Sequence, residues 1–82
     1  MEKTHQLILK NDNKNSFPKI VASLIRFCNH DIIQANQCAN IAHNNKQCQI
    51  KVGQYIDMLD LKLQFDSKEI ITEIQEYADR TI

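Results

Sequence analysis

The stretch QLILKNDNKNSFPKIVASLIRFC, residues 6–28, decides the fold. Its opening apolar residues end in a polar, asparagine-rich segment, which is typical of a strand that runs into a turn. Ser16 then opens a helix, and Pro18 falls in the first turn, where its missing N–H costs nothing. Apolar side chains recur at helical spacing as far as the end of the stretch: Phe17, Ile20, Val21, Leu24, Ile25, Phe27 and Cys28. The stretch therefore predicts a strand over residues 6–9, a turn and an amphipathic helix.

A second helix is predicted after Asn29 and His30, because Asp31 is a good helix cap. One face of this helix carries mainly small side chains: Ile32, Ala35, Cys38, Ala39 and Ala42. The helix is expected to end near residues 43–45. A face of small side chains allows either another element or a ligand to approach closely, and the sequence leaves both uses open.

The rest of the chain predicts a strand, a helix and a further strand. Apolar residues alternate with polar ones over residues 48–52, and Gly53 ends that strand. In the third helix, Ile56, Leu59 and Leu63 are expected to share the buried face, supported by Met58 and Leu61, and residues 65–67 to form the loop that ends it. Residues 69–75 suit either a β-branched strand or a helix, and we predict a strand that is buried through Ile70, Ile71 and Ile74.

The predicted order is therefore β-α-α-β-α-β, an α+β fold with a three-stranded antiparallel sheet and helices packed on one face. A chain of 82 residues holds one small core, so residues 1–82 are expected to form a single domain, with residues 1–5 as a short flexible tail.

Composition excludes several classes of function. The ten basic and ten acidic side chains cancel, which disfavours nonspecific nucleic-acid binding. The longest apolar run has three residues, against the roughly 20 needed to span a bilayer. The amino end has no signal-like apolar stretch, so we expect a cytoplasmic protein. Residues 1–52 carry a net charge of +4 and residues 53–82 a net charge of −4, so two opposite patches are expected.

Cys28, Cys38 and Cys48 lie ten residues apart, and with His30 and His43 they invite comparison with a zinc site. Structural zinc sites usually contain two pairs of closely spaced ligands, and here only Cys28 and His30 are close. We therefore expect no metal and no cofactor. The three cysteines are expected to be free thiols that pack as small apolar side chains.

Asn11 and Asp12 directly after a strand, the helix start at Ser16 and Phe17, and the run from Gln34 to His43 on the second helix together resemble the ClpS family. ClpS proteins are Clp protease adaptors, and the resemblance covers residues 7–52 well. It implies a protein that binds destabilising amino-terminal residues of substrates and hands them to a Clp-type ATP-dependent unfoldase, without being an enzyme itself. It also implies a monomer that needs neither nucleic acid nor membrane.

The resemblance assigns roles to particular residues. Asn11, Asp12, Asn13 and His43 would bind the free α-amino group. Five residues would line an apolar pocket for the first side chain: Asn15, Phe17, Ile20, Ala39 and Ala42. Asp57 and Lys62 would face the unfoldase. The chemistry suits these roles, because an ammonium has three donors and needs converging acceptors, while an apolar side chain needs an apolar cavity.

This chain departs from the family pattern in its pocket. The family has Asn-Asp-Asp where this chain has Asn11, Asp12 and Asn13, so a neutral acceptor replaces a charged one. The bulky pocket-wall residues of the family are here Ala39 and Ala42, and Phe17 stands at the expected gate. These changes predict a wider or differently shaped cavity and an altered specificity.

Two other classes of function compete with an adaptor role. The same element order resembles the carboxy-terminal domain of the ribosomal stalk protein, an interaction module that recruits translation factors, but this chain lacks that domain's glycine-rich and lysine-rich helix surface. A hydrolase or zinc enzyme is disfavoured because no nucleophile, base and acid set accompanies a glycine elbow or a paired ligand motif.

Overall fold

A computed structural model describes residues 3–10 and 14–77. The elements in chain order are β1 (His5–Lys10), α1 (Phe17–Cys28), α2 (Ile32–Asn45), β2 (Gln47–Gly53), α3 (Tyr55–Asp66) and β3 (Thr72–Glu76). The sheet is antiparallel with the order β2-β1-β3, so the strand at the start of the chain lies in the middle. This α+β architecture confirms the predicted fold class.

Short polar side chains begin α1 and α2 as the sequence predicts. Ser16 Oγ accepts a hydrogen bond from the backbone N–H of Lys19 at 3.3 Å, and the Asp31 carboxylate accepts one from Gln34 N–H at 2.7 Å. Each oxygen satisfies a donor that the first helical turn leaves unpaired. At their other ends, α1 and α2 stop at Asn29 and Lys46, which both adopt the left-handed conformation.

The core lies between one face of the sheet and the three helices. Leu7 and Leu9 of β1 point into it, as do Leu24 of α1 and Ala35 of α2, each at most 1% exposed. The predicted small-residue face of α2 packs here, because Cys38, Ala39 and Ala42 also belong to this core. Ile8 lies on the opposite face of the sheet, opposite Gln49 and Glu73, and is still only 5% exposed.

The prediction for α3 was wrong about its buried face. Ile56 and Leu63 are 67% and 58% exposed, whereas Met58 and Phe65 are 2% and 0% exposed. Phe65 was assigned to the loop, but it lies inside α3 and meets Phe27 edge to face at 5.2 Å between ring centroids. A buried phenylalanine removes more apolar surface from water than a buried leucine does. The position of Phe65, and not that of Leu63, therefore decides which side of α3 faces the core.

The last strand is confirmed, although it is shorter than predicted. It begins at Thr72, and Ile70 is fully buried just before it. Ile74 packs against the core, but Ile71 is 53% exposed, so the prediction that Ile71 helps to bury the strand was wrong.

The amino end is tied into the sheet. The backbone N–H of Thr4 donates to Gly53 O at 3.1 Å, and Tyr77 N–H donates to Thr4 O at 2.9 Å. The described part of the predicted flexible tail is therefore held by backbone hydrogen bonds, while residues 1–2 lie outside the described residues. No helix within the described residues is long and apolar enough to cross a membrane.

Candidate functional site

Four elements meet at one end of the molecule. The end of β1 lies beside the start of β2, since Lys10 pairs with Gln47 and its ammonium donates to the Gln47 side-chain oxygen at 2.7 Å. Helices α1 and α2 pack together and are joined by three residues, so they run antiparallel. The start of α1 and the end of α2 therefore lie at the same end of the helix pair.

The structure places the sequence-predicted residues of α1 and α2 at this end. Phe17 is the first residue of α1 and is 39% exposed, and Ile20 is partly buried against the core. His43 lies in the last turn of α2 and is exposed. Ala39 and Ala42 lie on the buried face of α2, 3% and 4% exposed. The α2 residues assigned to the site thus differ in exposure, since His43 is exposed whereas Ala39 and Ala42 are packed in the core.

The Asn15 side chain links two segments of the chain at this end of the molecule. Its side-chain amide donates to the backbone oxygen of Glu69 at 2.9 Å, which joins the segment before α1 to the loop after α3. The sequence assigned Asn15 to the pocket lining, and the structure shows that part of its amide group already stabilises the fold.

Asn11, Asp12 and Asn13 lie outside the described residues. The two described residues that flank them are Lys10, which ends β1, and Lys14, which precedes α1. The assignment of Asn11, Asp12 and Asn13 to the α-amino group therefore stays a prediction.

The two residues assigned to the unfoldase do not share a face. Asp57 and Lys62 are five positions apart on α3, which turns their side chains about 140° away from each other. Asp57 is exposed, whereas the Lys62 ammonium pairs with Asp66 at 3.1 Å on the same helix.

Helix α3 carries an exposed apolar stripe that was not predicted from the sequence. Ile56 and Leu63 are exposed and Leu59 is partly exposed, and their spacing places all three on one side of the helix. Asp57 and Asp60 border this stripe. The pattern was visible in the sequence as a second apolar face on one helix, but it was assigned to the core.

The three cysteines are free and buried in the core, which confirms their role in packing. Burial raises the pKa of the Cys28 thiol to about 11; the Lys51 ammonium opposes this rise and the Cys38 thiol adds to it. Burial, with Cys38 as the second cause, raises the pKa of Cys48 to about 12. Both thiols are therefore protonated at neutral pH. Among the described residues, no group of three or more histidine, cysteine or acidic side chains is arranged to hold a metal ion.

Comparison with known families assigns the chain. The family model described as "ATP-dependent Clp protease adaptor protein ClpS" matches residues 1–72. This chain belongs to the ClpS family. No curated protein sequence matches it.

A solved structure agrees with the ClpS assignment. ClpS2 of Agrobacterium tumefaciens, bound to L-phenylalaninamide, matches with a TM-score of 0.86 over 94% of this chain and 100% of that chain. At 13% sequence identity the likeness shows the fold alone. ClpS proteins are adaptors and not proteases, so family membership indicates an adaptor-type role and favours it over the ribosomal stalk alternative.

Proposed function

We propose that this chain recognises the free α-amino group and apolar first side chain of substrate proteins and presents them to a Clp-type unfoldase. The observation that carries this proposal is that Phe17 and Ile20 lie in the first turn of α1, shortly after residues 11–13 in the chain, while the exposed His43 lies in the last turn of α2. Membership of the ClpS family supports the same role.

The ligand of the related structure fits this chemistry. L-phenylalaninamide, bound by Agrobacterium ClpS2, carries a free α-amino group and one apolar ring. In this chain, an unprotonated His43 ring nitrogen can accept from such an ammonium, together with the side-chain oxygens of Asn11 and Asp12. Phe17 and Ile20 offer apolar surface, and burial of one large side chain contributes about 1.5–3 kcal/mol. With a few charge-assisted hydrogen bonds, micromolar affinity is within reach.

Peptide binding tests the recognition step. A fluorescent peptide with a bulky apolar first residue should bind when its amine is free and should lose binding when the amine is acetylated. His43→Ala should weaken binding by about 1–3 kcal/mol, because the ammonium loses an acceptor. Gln37→Ala, which removes another exposed polar side chain of α2, is the matched control and should leave affinity unchanged. Equal affinity for free and acetylated peptides would contradict the proposal.

Presentation to the unfoldase is assigned to the exposed stripe on α3. Ile56 and Leu63 offer apolar surface bordered by acidic side chains, which suits a partner surface with apolar and basic residues. Ile56→Ser with Leu63→Ser should abolish binding to the amino-terminal domain of a Clp unfoldase in a pull-down or calorimetric titration, while peptide affinity stays unchanged. Ile33→Ser, at a residue 68% exposed on α2, is the control and should bind normally. Undiminished unfoldase binding by the double variant would place the docking surface elsewhere.

A further inference from the structure

A cavity lies at the opposite end of α2 from His43. It has a volume of about 360 Å³ and lies between β2 and the connection that joins α1 to α2. Its polar lining includes Lys3 and Lys51 together with the side chains of Asn29, His30 and Gln34. Among the residues that the structure describes, no aspartate or glutamate lines this cavity. In a chain with equal numbers of acidic and basic side chains, such a lining is a local excess of positive charge.

A β-bulge turns Lys51 toward this cavity. The pairing of β1 with β2 shifts between Leu7 and Ile8, so Leu7 lies opposite Lys51 while Ile8 lies opposite Gln49. Cys48 and Ile50 of β2 face the core. Regular alternation of side chains along the strand would therefore have placed Lys51 on the open face of the sheet and Val52 toward the core. Instead, the Lys51 ammonium lies on the helix side and donates to the Cys28 backbone oxygen at 3.3 Å, and Val52 is outside the core. Bulges re-aim side chains in this way beside functional sites.

His30 fixes the bulge. Its Nε2–H donates to the backbone oxygen of Ile50, the extra residue of the bulge, at 3.1 Å, and the side chain is 6% exposed. Because Ile50 O can only accept, Nε2 is the donor of this hydrogen bond. The position of Lys51 is thus set by a buried hydrogen bond and not by a mobile loop.

Within residues 3–10 and 14–77, no carboxylate forms an ion pair with Lys3 or Lys51. The ion pairs among the described residues join Lys10 to Glu73 and Lys62 to Asp66, and neither Lys3 nor Lys51 takes part. Asp31 stands nearby in the chain, but its carboxylate accepts from Gln34 N–H to cap α2 and does not line the cavity. The first turn of α2 starts at this end and adds a partial positive charge.

We propose that this cavity binds an oxyanion, a phosphate or a carboxylate group of a small ligand, between Lys3 and Lys51. Ammonium groups and side-chain amides provide the donors that such oxygens need. The volume lies in the range of small-molecule sites and leaves room for an organic part beside the anionic group. The site is separate from the proposed amine site and does not depend on it.

Titration of the full chain with inorganic phosphate tests the proposal. Amide chemical shifts are followed by NMR at constant ionic strength, with acetate as a second probe. Residues 28–34 and 49–52 should shift in a saturable way. Lys51→Gln and Lys3→Gln should each weaken phosphate binding about tenfold, since each removes one charge-assisted hydrogen bond. Lys68→Gln, at an exposed lysine of the loop between α3 and β3, should bind like the wild type.

The phosphate and acetate titrations distinguish a phosphate ligand from a carboxylate ligand. Saturable binding of phosphate with little response to acetate assigns a phosphate ligand, and the reverse assigns a carboxylate ligand. Lys3 is exposed, so Lys3→Gln keeps the test valid if Lys51→Gln disturbs the bulge. Absence of saturable shifts at these residues with both probes would overturn the proposal, as would an equal loss of binding in Lys68→Gln.

Discussion

At the scale of single residues, Asn13 is the sharpest chemical difference between this chain and the family to which it belongs. The family pattern places a carboxylate at this position, and an ammonium binds a carboxylate about twice as strongly as a neutral acceptor. In the proposed amine site, the affinity must therefore come from Asn11, Asp12 and His43, or be weaker than a second carboxylate would give.

Asn13→Asp should tighten the binding of a peptide with a free α-amine by about fivefold to tenfold, which corresponds to about 1 kcal/mol or more. The gain should be larger at low ionic strength, because the restored charge acts partly through solvent. Fluorescence anisotropy with one peptide measures both effects.

Asn44→Asp serves as the control for this prediction, since it adds the same charge at an exposed residue of α2 beside His43. A comparable gain in this control would show a general effect of negative charge. Unchanged or weaker binding in Asn13→Asp would mean that the amine does not lie against residue 13.

At the scale of elements, the residue that ends α2 has a backbone conformation that its side chain disfavours. Lys46 ends the helix with φ of 71°, a left-handed conformation that places the Cβ of any residue other than glycine too close to its carbonyl oxygen. Lys46→Gly should remove this cost and raise the free energy of unfolding by about 0.5–1 kcal/mol, after allowance for the greater freedom of glycine in the unfolded chain.

The free energies of unfolding of Lys46→Gly and Lys68→Gly, each measured with urea, isolate the effect of the left-handed conformation when they are compared. Lys68 has no positive φ, so the same substitution there should not stabilise the protein. A loss of stability in Lys46→Gly would show that the Lys46 side chain makes a contact worth more than the strain.

The elements themselves could be predicted from sequence because their signals are local. The caps Ser16 and Asp31 and the strand end at Gly53 follow from residue chemistry within a few positions. Helix α3 has two apolar stripes, and local periodicity cannot decide between them. The choice depends on Phe27, which lies about forty positions earlier in the chain and packs against Phe65. A contact so distant in sequence leaves no local signal.

At the scale of the whole molecule, α2 links two chemically different ends. Its last turn carries His43 beside the start of α1, and its first turn borders the cavity of Lys3 and Lys51. The first end was predicted as a site from the sequence because the family resemblance pointed to it, and it stays a prediction. The second end was not, since it depends on a bulge, and the register of a strand is set by its partner.

The packing of the whole core also sets how stability depends on pH. Burial raises the pKa of Cys28 from its ordinary value of 9.0 to about 11 in the folded chain. A thiol whose folded pKa lies above its unfolded pKa binds its proton more tightly when folded, so the associated stability is present below the ordinary pKa of 9.0 and is lost as the pH rises toward 11. For Cys28 alone, the loss between pH 8 and pH 10 should be about 1 kcal/mol.

Urea unfolding at pH 8, 9 and 10 in the presence of a reductant tests this expectation against Cys28→Ala. The variant should be less stable at every pH because it leaves a cavity beside Leu24 and Ala35, which share its core. However, its stability should fall less steeply with pH, since the titrating thiol is gone. Cys38 shares the core with both Cys28 and Cys48 and raises the pKa of each, so ionisation of one thiol opposes that of its neighbours. Parallel pH profiles for the wild type and Cys28→Ala would show that other groups cause the alkaline loss.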